Sequence, residues 1–227
     1  VLRRWLSHLI MKNPLIPHAT ELQSWRAAVA RGSTWLANEV AREPFLEDFQ
    51  ADFNWFAKVP WSLAVAGRRG DAMRLLKRKH LALEHGNLRW PVDIEWTNAI
   101  PYAIGWFVAG ASVCDQLHIA RCFYNELQAY VCSETGAIYS VRAELRSQQP
   151  YFDAAIQGAA LHAAVAVGDL SAAQRHAELM CRWIEQQPPS GGKIFTHFHP
   201  SLGLLLDYSE ANQMQRVFIP GRNCQPF

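Results

Sequence analysis

The stretch Tyr151–Gln187, YFDAAIQGAALHAAVAVG then DLS then AAQRHAELMCRWIEQQ, decides how the rest of the chain is read. From Ala154 to Val167 it is apolar nearly all round, which predicts a helix buried on both sides. From Ala173 the residues His176, Ala177 and Met180 follow at the spacing of one helix face. Arg175, Glu178 and Arg182 lie off that face and are expected to meet water. Gly168, between the two halves, can take the left-handed conformation that ends a helix. The segment reads as a hairpin: a buried apolar helix, a tight turn, and an amphipathic helix outside it.

The same plan occurs twice upstream. FNWFAKVPWSLAVAG (Phe53–Gly67), RRG and DAMRLLKRKHLALEHG form one copy. NAIPYAIGWFVAGASVC (Asn98–Cys114), DQL and HIARCFYNELQAYVC form the next. Aligned on Gly67, Asp115 and Gly168, each copy has an alanine five residues on: Ala72, Ala120 and Ala173. Leu75, Leu76 and His80 then match Phe123, Tyr124 and Leu127, and the period is about 50 residues, long enough for two helices and a loop. Each outer helix ends in a glycine turn and a brief extended piece, in HGNLRW, TGAIYS and GGKIF. KIFTHFH and GLLLDYS predict a β-hairpin across Pro200 to Gly203. A further helix is expected from about Glu21 to Val40, capped by Thr20, with Pro14 and Pro17 breaking the chain before it.

Composition agrees with one globular, all-α domain over residues 1–227: half the residues are hydrophobic and 19% charged. A net charge of +2 points to neither nucleic acid nor a membrane surface as partner. The basic run Arg68, Arg69, Arg74, Lys77, Arg78 and Lys79 has helical spacing and reads as a solvated helix face. Five cysteines without a C-x-x-C pair suggest reduced, mostly buried thiols in a cytoplasmic protein, with no zinc ribbon. VLRRWLSHLI is too short an apolar run for a secretory signal, and Tyr102 to Cys114 is too short to span a bilayer.

The succession of inner and outer helices, with FYNELQAYVCSETGAIY (Phe123–Tyr139), resembles the terpenoid cyclase and protein prenyltransferase α/α toroid superfamily. That superfamily ties a helix end to the next loop through a glutamine, a glycine and an aromatic, an order matched by Gln128, Gly136 and Tyr139. The six-hairpin glycosidases and sugar epimerases share the architecture. The D-x-D-D and D-D-x-x-D motifs of the cyclases and synthases are absent, and no Asp, Cys and His set suggests the zinc site of the prenyltransferases. Such rings usually close with six hairpins. Three here, between ends that read as cuts, imply a partial toroid completed by more chain or by a homo-oligomer, or else an open half-toroid, and VFIPG reads as the lead-in to another inner helix.

The resemblance implies a central cavity lined by the inner helices. Candidate residues at their starts are Asp52, Asn54, Trp55, Lys58 and Trp61; Glu95, Trp96, Asn98, Tyr102 and Trp106; and Tyr151, Asp153, Gln157 and His162. Nine residues before each turn stand Lys58, Trp106 and Ala159, a shared inward level. Lys58, flanked by Trp55 and Trp61, must either pair or change its proton affinity. Asp153 is a general acid–base candidate or a helix cap, and Glu95 with Asp93 or Asp153 would supply the carboxylates of a glycosidase. His197 and His199 would share a strand face but lack a third metal ligand at a recognisable spacing. The expected activity is cyclisation or isomerisation of an apolar or amphipathic small molecule by acid–base chemistry. Lys58, Asp153 and Glu95 are its catalytic candidates; Asn54, Trp55, Trp61, Asn98, Tyr102, Trp106, Gln157 and His162 are its binding residues, with no cofactor or metal. The alternatives are a carbohydrate hydrolase or epimerase and a non-catalytic helical-repeat scaffold.

Overall fold

In the computed structural model the three predicted hairpins are present. It describes residues 19–42, 57–84, 100–147, 151–189, 194–201, 203–205 and 217–218. The helices are α1 (Ala19–Ala41), α2 (Val59–Val65), α3 (Arg69–Glu84), α4 (Ile100–Val113), α5 (Leu117–Gln128), α6 (Ala154–Val167) and α7 (Leu170–Glu185). A 3-10 turn covers Ala143–Leu145. The short strands are β1 (Phe152–Asp153), β2 (Ile194–Phe195), β3 (His197–His199), β4 (Gly203–Leu204) and β5 (Val217–Phe218). Among the described residues no helix is long and apolar enough to cross a membrane.

The three turns are built alike. Gly67 and Gly168 have φ near 81° and 82°, and Asp115 adopts the same hand at 54°. In each, the amide after the left-handed residue donates to the carbonyl five residues back: Arg68 to Leu63, Gln116 to Ala111, Asp169 to Ala164. This double-bonded turn satisfies the last carbonyls of the inner helix while reversing the chain. Ala72, Ala120 and Ala173 are all buried beyond it. Hydrogen bonds join the turns to one another: Arg69 donates to the Val113 carbonyl and pairs with Asp115, and Ser112 donates to the Ala166 carbonyl. Tyr124 donates to Asp169, which also caps α7 at the Ala172 amide. Burial, then this carboxylate, pushes the Tyr124 phenol up to about 12.

Helices α2, α4 and α6 lie side by side in chain order, and α3, α5 and α7 pack behind them. Helix α4 is the centre. Ten of its residues are buried, and Phe107 stacks on Phe123 of α5 at 5.1 Å. Two glycines let its backbone approach both neighbours: a Cβ at Gly105 would lie 2.8 Å from the Ala159 Cβ on α6, and one at Gly110 would lie 2.9 Å from the Pro60 Cβ on α2. The outer helices carry their charges outward as expected, with Arg74, Lys77, Arg78, Arg175, Glu178 and Arg182 exposed. Lys79 departs from that face. It is half-buried, and burial together with Arg78 pulls its ammonium down to about 8.

The expectation that α6 is buried on both sides needs correction. Ala155, His162 and Val165 form an exposed stripe on it, with Val165 53% exposed. An alanine-rich helix shows the same apolar pattern whether one or both flanks are covered, and among the described helices only α4 covers a flank of α6 in the inner row.

The predicted hairpin across Pro200 to Gly203 is β3–β4, with Phe198 opposite Leu204 and His199 opposite Gly203. Strand β1, leading into α6, adds to β3 in antiparallel register. Val217–Phe218, expected before a further inner helix, pairs with β2. A second apolar cluster forms beneath these strands, where Trp183 of α7 stacks on Phe198 at 3.9 Å.

Candidate functional site

Lys58 stands just before α2, whose first turn is set by Pro60, a residue suited to that place because its missing N–H would be unpaired anyway. From there the ammonium reaches α4. Lys58 Nζ lies 5.1 Å from the centre of the Tyr102 ring and 5.7 Å from Trp106. Tyr102 and Trp106, one turn apart, present adjacent rings whose centres are 6.1 Å apart and nearly perpendicular. Trp61 of α2 meets Trp106 edge-on at 5.7 Å, and His162 of α6 meets it at 6.4 Å and 88°. Trp106 is therefore neighboured by a lysine from the first hairpin and a histidine from the third.

Lys58, Trp61, Tyr102 and Trp106 are half-buried and His162 is exposed, so the cluster opens to solvent along one side. A cation against two aromatic faces is held by their quadrupoles, worth about 0.5–2 kcal/mol depending on desolvation. Trp106 Nε1 is buried and has no hydrogen-bond partner among the described residues. A buried indole N–H normally finds an acceptor. Of the three residues nine positions before the turns, Lys58 and Trp106 meet, and Ala159 packs against Gly105, the neighbour of Trp106 in the chain.

Other candidates lie elsewhere. Asp153 caps α6, its Oδ1 accepting from the amides of Ala155 at 2.7 Å and Ile156 at 3.2 Å, while Oδ2 lies 3.2 Å from His197 Nε2. Gln157 is fully buried; its amide donates to the Ile138 carbonyl at 2.6 Å and accepts from the Ile138 N–H at 3.1 Å. His199 accepts from the Ser201 amide, and Tyr151 lies beside it at 6.2 Å. Asp52, Asn54, Trp55, Asp93, Glu95, Trp96 and Asn98 lie outside the described residues.

Two features were not read from the sequence. Gln187 repeats the Gln157 geometry, bonding both the N–H and the C=O of Phe195, so a glutamine clamp anchors an extended segment to a helix twice. His80, His118 and Cys122 bring their ligand atoms within 4.8 Å of one another. The i, i+4 step from His118 to Cys122 was a visible signal; the third member, 38 positions earlier, was not. No family model matches the chain, and no curated protein or solved structure is similar enough to it to count as a relative.

Proposed function

We propose that the chain is an acid–base enzyme of the isomerase or cyclase type, acting on an apolar or amphipathic small molecule held against Trp106. The observation that carries this reading is the placement of Lys58 and His162 against the same indole. Isomerisation needs one group to give a proton and another to take one, at separate atoms of the substrate. Lys58 is the donor, its ammonium placed to protonate or polarise a carbonyl oxygen. His162, exposed and able to exchange protons with solvent, is the base. Tyr102, Trp61 and Trp106 bind the apolar part by contact and stacking. The toroid-like row of inner helices supports the reading as architecture only, since fold alone does not assign chemistry.

The test is hydrogen exchange on a probe ketone. A long-chain alkyl ketone incubated with the protein in deuterium oxide gains deuterium beside the carbonyl faster than in buffer. The proton leaves carbon for His162 while Lys58 donates to oxygen. Lys58→Met and His162→Ala each reduce the acceleration by at least about a hundredfold, in the range typical of a lost general acid or base. Equal exchange in wild type and both variants contradicts the assignment. That outcome favours a second reading, a helical-repeat scaffold binding a partner along the end of α6 and the start of α7, for which the observation is the exposure of Val165 and Leu170 at 53% and 70%.

A further inference from the structure

Helices α3 and α5 carry a second cluster of reactive side chains, away from the aromatic site and unused by the proposed chemistry. His118 and Cys122 are one turn apart on α5, so both project from the same face. His80, on α3, is buried at 7% exposure, and its ring centre lies 5.2 Å from that of His118. One ligand atom from each of the three lies within 4.8 Å of the other two. Cys122 is half-buried and His118 exposed, so the cluster is reached from solvent on the His118 side.

We infer that His80, His118 and Cys122 form a binding site for a single divalent transition-metal ion, zinc being the best match, that clips the first helix hairpin to the second. Two imidazoles and a thiolate are a borderline-soft donor set, preferred by zinc over calcium or magnesium, which take oxygen ligands. Zn–N bonds of about 2.0 Å and Zn–S bonds of about 2.3 Å in a tetrahedron put ligand atoms about 3.3–3.5 Å apart, so the present spacing closes by side-chain rotations that move these atoms roughly 1 Å or a little more. The i, i+4 pair on one helix supplies two corners without backbone movement, and the neighbouring helix supplies the third. The fourth corner, on the exposed side, takes water. Binding converts the Cys122 thiol to thiolate and releases its proton to solvent. The ion then links residues 38 to 42 positions apart, and it binds the folded chain in preference to the unfolded one, so it raises stability by mass action.

Cobalt reports such a site directly. Untagged full-length protein, stripped with chelator and titrated with Co(II), is expected to develop a thiolate-to-cobalt absorption in the near ultraviolet. Visible bands with the intensity of four-coordinate cobalt accompany it and saturate at one ion per chain. Zinc displaces the cobalt and raises the unfolding temperature, and chelator reverses both effects. Cys122→Ser removes the near-ultraviolet band. His118→Ala, at an exposed position that leaves the circular dichroism unchanged, weakens zinc binding by more than the ~10–100-fold that follows loss of a mere outer-shell partner. Absence of the thiolate band in the wild type overturns the inference. So does a band that survives both substitutions, since cobalt then sits on other thiols.

Discussion

At the residue scale the chain shows how polar groups are accommodated in an apolar helix array. Gln157 and Gln187 each bond both backbone groups of one extended residue, Ile138 and Phe195, and so hold that residue beside a helix. A glutamine in an apolar run announces that it needs partners but not which ones, so Gln157 reads equally well from sequence as a ligand for substrate. His176 is the opposite case. It is buried, its Nδ1 has no hydrogen-bond partner among the described residues, and burial followed by the charge of Arg175 lowers its proton affinity below the ordinary value of 6.5. Above that value the ring is neutral folded and unfolded, and it adds no pH dependence. As pH falls through it the unfolded chain takes up a proton first, so stability drops until the depressed folded value is passed, and then stays low. His176→Leu removes this step. Urea unfolding at about pH 8 and about pH 5 is expected to show a larger acid loss for wild type than for the variant. Equal losses would show that His176 is not the group responsible.

At the element scale, two kinds of glycine do different work, and one substitution separates them. Gly168 has φ near 82° with nothing within 4 Å of where a Cβ would stand. Gly168→Ala therefore costs only the conformational penalty of the left-handed turn, about 1–2 kcal/mol. Gly105 needs no unusual dihedral, but its Cβ would meet both the side chain and the carbonyl of Ala159. Gly105→Ala forces α4 and α6 apart, at about 1–3 kcal/mol. Adding Ala159→Gly recovers part of the second loss and none of the first, and denaturant midpoints of the single and double variants check both claims. The turns at Gly67 and Gly168 were legible in the sequence because glycine at a helix end has a conformational meaning that needs no knowledge of the partner. The close approach at Gly105 was not, because it depends on which helix comes to lie beside it.

At the scale of the whole molecule, the hairpin repeat and the inner and outer roles of its helices follow from periodicity, and five of the candidate residues do come together. Lys58 and Trp106 were legible because the aligned turns put them at one level; Trp61, Tyr102 and His162 were legible only as aromatic or polar residues of the inner helices. What remained hidden involves pairs distant in the chain: Asp153 with His197, the exposed flank of α6, and the approach of His80 to His118 and Cys122. Local pattern carries no information on such meetings.

The hairpins bring Lys58 of the first against Tyr102 and Trp106 of the second. Nuclear magnetic resonance of the lysine ε-methylene groups tests it most directly, because protons held over aromatic faces are shifted upfield by the ring currents. One lysine is expected upfield of the others, lost in Lys58→Met and returned to the ordinary position by Trp106→Leu in a variant that remains folded by circular dichroism. A Lys58 signal among those of exposed lysines, unmoved by the Trp106 change, would contradict it.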